Sequence, residues 1–233
     1  MYLSKYLAVC GVCSRRQATQ LVKDGRVYVN DKIETQPNYF VKPGDEVIYD
    51  GEIIISQKKV YVLLNKPKNY VTTRSDEKGR KTVLDLINLK NDLKIYPVGR
   101  LDRETTGLLL LTNDGDLAYK LSHPKFKIEK RYRVLLDKNL TKKDIERLLI
   151  GFKLYDGFTK FDHVYFDQQK SKKDVIVQLH SGKNRIIRRM FKHLGYDVKK
   201  LDRIFYAGLQ KKGLLVGKWR FLSKQEVEAL QGL

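Results

Sequence analysis

Cysteine is almost missing from this chain, with two in 233 residues. Cys10 and Cys13 form one C-x-x-C pair, but a structural zinc needs two more soft ligands, and His123, His163, His180 and His193 are scattered singly. A redox dithiol would need a βαβ setting that the neighbouring residues do not supply. Both thiols therefore read as small core residues in a reducing compartment. Long apolar runs are missing too: none approaches the roughly 18–20 residues that span a bilayer, so no membrane partner is expected. The N-terminus, MYLSKYLAVCGVCSRRQ, mimics a leader peptide only superficially. Leu3, Tyr6, Leu7 and Cys10 recur at helical spacing and Arg15–Arg16 follow at once, which predicts an amphipathic helix and a cytoplasmic protein. There is no internal repeat, no low-complexity tract and no carboxylate cluster fit for a metal-dependent nuclease, so no metal is expected.

Acidic residues are also in deficit. The chain holds 47 Lys and Arg against 27 Asp and Glu, a formal net charge of +20, which points to a polyanionic partner. The excess is unevenly placed. Residues 1–56 carry seven basic and seven acidic groups, leaving 40 basic and 20 acidic groups for residues 57–233. Within the first part, residues 1–30 hold five bases and one acid, and residues 31–56 two bases and six acids.

That first part reads as a small domain, residues 1–56. After the first helix, SRRQ makes a capping box from Ser14 and Gln17, and Gly25 ends a helix that buries Ala18, Leu21 and Val22. Val27 and Val29 alternate as a strand, and VKPGDEVIYDG supplies a turn and a second strand. Arg15 and Arg16 stand in the first helical turn, where free backbone amides already favour an anion. The stretch YLSKYLAVCGVCSRRQATQLVKDGRVYVNDKIETQPNYFVKPGDEVIYDG resembles the RNA-binding module named after ribosomal protein S-four, which implies recognition of structured RNA through phosphates and shape.

A short polar joint, Gln57 to Lys59, leads to residues 60–233. There VYVLLNKP, GLLLLTNDG, KRYRVLL and DVIVQLH read as strands. TVLDLINL, DLAYKLSHP, TKKDIERLLIG, NRIIRRMFKHLG and SKQEVEALQ read as helices. The irregular alternation predicts an α+β chain: a small α/β RNA-binding domain, then a catalytic domain with a mixed, largely antiparallel sheet flanked by helices.

Two charged clusters stand out. In YPVGRLDRETTGLLLLTNDG, residues 96–115, glycines bracket a charged loop that feeds a buried leucine strand, so Asp102 stands at a rigid strand's mouth. Three readings compete for it: an ion pair with Arg100 or Arg103, a metal ligand, or a catalytic carboxylate. Asp114 and Asp116 belong to a turn and a helix start that explain them without an ion. In SGKNRIIRRMFKHLG, residues 181–195, Ile187, Met190, Phe191 and Leu194 form an apolar stripe. Arg185, Arg188, Arg189 and Lys192 would then gather on another face, a cationic ridge lacking any acid, suited to an anion.

Together GRLDRETTGLLLLTNDG, NKPKNYVTT, EKRYRV, GKNRIIRRMF and GYDVKKLDRI resemble the motifs of the pseudouridine synthases acting on bacterial ribosomal RNA, in the branch that carries the N-terminal module. The resemblance implies a nucleophilic Asp102, Tyr132 lying against the uracil, and Arg188 paired with the aspartate. The basic residues expected to contact RNA are Arg15, Arg16, Lys66, Arg100, Arg103, Lys183, Arg185, Arg189 and Lys192. Two positions depart from the family pattern: Asn69 stands where Gly is frequent, although Asn tolerates positive φ, and Ile186 stands where Gln is frequent. The implied reaction breaks the bond from sugar to base nitrogen, turns the base and rejoins it through carbon, so no cofactor is expected. The carboxylate can attack the ring or the anomeric carbon, or assist departure toward a glycal, and each route needs it ionised. A stacked base must first swing out into a pocket, where Tyr132 offers a flat face. A plain core tyrosine is the competing reading, since Tyr132 alternates properly along its strand. The expected partner is ribosomal RNA, large-subunit RNA ahead of small-subunit RNA, free or in a pre-ribosomal particle, with no DNA and a monomer as default. The rival function is a non-catalytic ribosome-assembly protein.

Overall fold

The computed structural model describes residues 1–89, 93–166 and 171–233. It divides into two compact units, one of Met1–Val60 with Leu89–Ile95 and Asn113–Gly115, the other of Tyr61–Asn88, Tyr96–Thr112 and Asp116–Leu233.

In the first unit, helices α1 (Leu3–Val9) and α2 (Arg15–Lys23) precede β1 (Val27–Val29), β2 (Lys32–Ile33), β3 (Val47–Tyr49) and β4 (Glu52–Ile53). The four strands form an antiparallel sheet in the order β2-β1-β3-β4. Ser14 and Gln17 make the expected reciprocal cap, satisfying amides that would otherwise lack partners. Leu3, Leu7, Ala18, Val22, Val27, Val29, Val41 and Val47 form the core. Leu21 lies half-buried at its edge. Cys10 is buried and Cys13 half-buried, and burial pushes the Cys10 thiol up to about 11.

The second unit contains β5 (Tyr61–Lys66), β6 (Tyr96–Pro97), β7 (Thr106–Thr112), α3 (Gly115–Ser122), β8 (Lys130–Leu136), α4 (Lys142–Ile150), β9 (Phe152–Leu154), β10 (Gly157–Thr159), β11 (His163–Phe166) and β12 (Asp174–Leu179). It continues with α5 (Ile186–His193), β13 (Val198–Tyr206), β14 (Leu209–Gln210), β15 (Trp219–Phe221) and α6 (Lys224–Gly232). Among the described residues, nine strands share one sheet, ordered β11-β12-β8-β13-β7-β5-β15, with β14 on β13 and β6 on β7. Every pairing in it is antiparallel except that of β13 with β7. The chain is thus α+β with a mixed, largely antiparallel sheet. The TVLDLINL helix shrinks to a single 3-10 turn, Val83–Leu86, held by Thr82 and Asp85.

The four leucines of β7 explain themselves here. Leu108 and Leu110 join a core with Leu117, Leu121 and Tyr206, and Leu109 and Leu111 are equally buried. A strand covered on both faces needs a continuous apolar run. At its entry Gly107 has φ +110°, and a Cβ there would lie 2.5 Å from the Arg203 backbone nitrogen of the parallel neighbour β13. Only glycine fits that approach.

Candidate active site

The loop entering β7 is held by a lysine. Lys66, at the end of β5, is fully buried, and its Nζ donates to the carbonyls of Pro67 (3.0 Å), Asp102 (3.1 Å), Arg103 (3.3 Å) and Thr105 (2.9 Å). Burial pulls its pKa down to about 8, partly opposed by the charges of Glu104 and Asp102. The Asn69 amide donates to the Arg103 carbonyl at 2.9 Å, and Asn69 has φ +69°, the positive value that Asn tolerates. Thr72 Oγ1 donates to the Leu101 carbonyl at 2.8 Å. The loop carrying Asp102 is therefore anchored by hydrogen bonds to its backbone from three residues that precede it by about thirty positions.

So anchored, Asp102 faces a cleft of about 600 Å³ within the second unit. The cleft is lined by Arg100, Asp102, Lys130, Tyr132, Arg185, Ile186 and Arg203, among others. The carboxylate is about one-third exposed and meets Arg185 Nη1 at 3.7 Å. Tyr132 is buried on the same face of β8 as Val134 and Leu136 and lines the cleft, so it has both a core side and an open side. Lys130, two residues earlier, donates to the carbonyls of Ile128 and His180, each at 2.9 Å, and burial pulls its pKa down to about 8. Arg203, 2 % exposed, donates from Nε to the Leu108 carbonyl at 2.7 Å and lies over the Tyr206 ring.

Several expectations need correction. Lys66 cannot meet RNA, because its ammonium is sealed in the loop it supports. Arg100 and Arg103 do not pair with Asp102: Arg103 contacts Glu104 at 3.2 Å, and Arg100 is exposed at the cleft. The guanidinium in contact with Asp102 belongs to Arg185, not Arg188. Arg185 is the N-cap of α5 with φ +47°, ahead of the helix. Arg188 sits one turn into the helix, and its Nη1 donates to the Val198 carbonyl at 2.8 Å. Burial and the Arg185 charge lower the Arg188 pKa, while Asp102 and Glu104 raise it.

Nor is the ridge free of acids, because other segments supply them. Arg189 is clamped by both oxygens of Asp156, at 2.8 and 2.7 Å, and Lys192 meets Asp197 at 3.3 Å. Arg189 is therefore tied to the β9–β10 turn. Lys183 lines the cleft while donating to the carbonyls of Asp156 (2.8 Å) and Phe158 (3.2 Å). Arg15 and Arg16 are exposed at the start of α2. Sequence reasoning missed the anchoring role of Lys66 and the buried Arg203. The glycine at 107 is the signal that a second strand comes close there.

A charged loop pinned beside a cleft that Tyr132 also lines, on a mixed sheet, is the candidate active site of the second unit. The family model for RNA pseudouridylate synthase matches residues 60–193, and that for the S4 domain matches residues 3–47. The chain belongs to the RNA pseudouridylate synthase family. It is 40% identical over 235 residues to ribosomal large subunit pseudouridine synthase B of Bacillus subtilis, covering 99% of this chain and 96% of that one. It is 36% identical over 228 residues to the dual-specificity RNA pseudouridine synthase RluF of Escherichia coli K12, covering 97% and 76%. A crystal structure of a pseudouridylate synthase superposes with a TM-score of 0.69 at 26% identity, covering 99% of each chain. Among the described residues, no helix is long and apolar enough to cross a membrane.

Proposed function

We propose that the chain isomerises a specific uridine of ribosomal RNA, large-subunit RNA ahead of small-subunit RNA, with Asp102 as the attacking carboxylate. The observation that carries this is the placement of Asp102: partly exposed in a cleft of about 600 Å³, within 3.7 Å of a guanidinium, on a loop held by Lys66. A carboxylate fixed on an anchored loop loses little orientation on attack. Arg185 takes the pairing role, and Arg188 is a second positive charge that acts on Asp102. Tyr132 supplies the flat wall for a flipped uracil. In the reaction the bond from N1 to C1′ breaks and one from C5 to C1′ forms. The C5 proton leaves and N1 gains a proton, so atoms and electrons balance without a co-reactant. The choice of substrate follows the activity for which the Bacillus subtilis relative is named. Residues 1–56 act as the RNA-binding domain and residues 60–233 as the catalytic domain.

The test is Asp102→Asn. It should abolish tritium release from a ribosomal RNA transcript labelled at uridine C5 while leaving RNA affinity within about threefold, since binding rests on other groups. Retained turnover would dismiss the aspartate as nucleophile. Mapping pseudouridines in ribosomal RNA from cells with and without the gene names the nucleotide. An unchanged map would favour the assembly-protein reading.

A further inference from the structure

The turn between β9 and β10 is fixed more firmly than an exposed hairpin requires. Asp156 accepts a two-pronged ion pair from Arg189, and Lys183, itself a lining residue of the cleft, donates to the carbonyls on either side of Gly157. The residue this framework holds out is Tyr155, which is 85% exposed. The Arg189 guanidinium carbon lies 4.7 Å from the centre of its ring. One side of the ring is thus backed by a cation whose own position is locked, and the rest stands in water. Phe158, 62% exposed, is carried by the same hairpin.

We propose that Tyr155 is a stacking platform for an unpaired nucleotide of the RNA, one that flanks the target uridine when that base occupies the cleft. This rests on the enzymatic reading above. Three observations support it. The hairpin is tied through Lys183 to the rim of the cleft, so a ring at its tip is within reach of the strand leaving the flipped base. Its surroundings are basic, with Lys153 and Lys160 exposed on the same hairpin, which suits a polyanion better than an apolar protein surface. A ring with a guanidinium on one side gains most from a π-face on the other, and every base offers one. The occupant is therefore recognised by stacking, with little demand on base identity.

The full-length protein tests this with a ribosomal RNA transcript tritiated at uridine C5. Tyr155→Ala should raise KM about tenfold, the effect of removing one base–aromatic stack, with kcat within about twofold of wild type. The slope of affinity against salt should stay unchanged, because every cation that meets a phosphate is still in place. Tyr155→Phe should restore KM, since the ring and not the hydroxyl stacks on the base. A KM within twofold of wild type for Tyr155→Ala would overturn the assignment. So would a Phe variant as impaired as the Ala variant, or a drop in salt slope. If wild-type protein releases no tritium, the enzymatic reading fails and this one falls with it. An active wild type with an indifferent Tyr155→Ala defeats the stacking role alone.

Discussion

Lys66 shows how one side chain can prepare a site it never touches. An ammonium has three protons, and here four carbonyls compete for them. Removing the ammonium takes the donor from the Pro67 and Thr105 carbonyls, while the Asp102 and Arg103 carbonyls keep the Thr105 and Asn69 amides. Each buried acceptor left without a partner costs on the order of 1–3 kcal/mol. Lys66→Met should destabilise the protein by roughly 3 kcal/mol, since the relief of burying a charge offsets part of that cost. It should also depress turnover more than RNA affinity, because the Asp102 loop is freed. The pH dependence has a definite sign. The folded protein holds the Lys66 proton more weakly, at about 8, than the ordinary value of 10.5. Between those values the unfolded chain binds more protons, so stability from this group rises with pH. The margin of wild type over Lys66→Met, read by urea unfolding, should widen from pH 8 toward 10; a margin that narrows would contradict the burial argument. This role is illegible in the sequence, where a lysine in a basic motif reads as a phosphate ligand. Its real partners lie up to 39 residues away. Asn69, by contrast, is legible because its constraint is its own φ.

Elements with local rules can be read from the chain alone, and elements defined by neighbours cannot. The caps at Ser14, Thr141 and Ser223 and the helix stop at Gly151 depend on residues within four positions, and all are present. Helix α5 has the expected apolar stripe, with Ile187, Met190 and Phe191 buried. What its own sequence could not reveal is that Asp102, Asp156 and Asp197 arrive from other segments to meet its cations. Likewise the opening charge of the leucine strand makes sense only beside β5 and β13. Gly107 is the element-scale test. Alanine there must adopt φ +110° and push its methyl against the Arg203 backbone, so the parallel pairing of β7 with β13 has to open. Gly107→Ala should cost about 3 kcal/mol or more in chemical unfolding. The shift should be matched by a fall in activity, since Thr105 and Asp102 sit at the same strand entry. A variant as stable as wild type would mean that the two strands can separate without consequence.

At the scale of the whole molecule, the +20 charge is divided so that residues 1–56 are neutral in sum and residues 57–233 carry the excess. A net-neutral RNA-binding module is not a contradiction, because most of its basic groups fall in residues 1–30 and most of its acids in residues 31–56. Affinity is set by the phosphates that are neutralised and not by the sum. Arg15 and Arg16 are exposed at the start of α2, where the free amides of the first turn add to their charge. If they hold phosphates, the double variant Arg15→Ala, Arg16→Ala should weaken RNA binding across all sequences. The slope of log affinity against log salt should fall by about one to two, close to one for each phosphate no longer neutralised. KM should rise accordingly while kcat on saturating RNA stays the same, because the Asp102 cleft is built entirely from the second unit. An unchanged salt slope would show that these arginines are merely solvated. A fall in kcat would instead show that the first unit does more than hold the RNA.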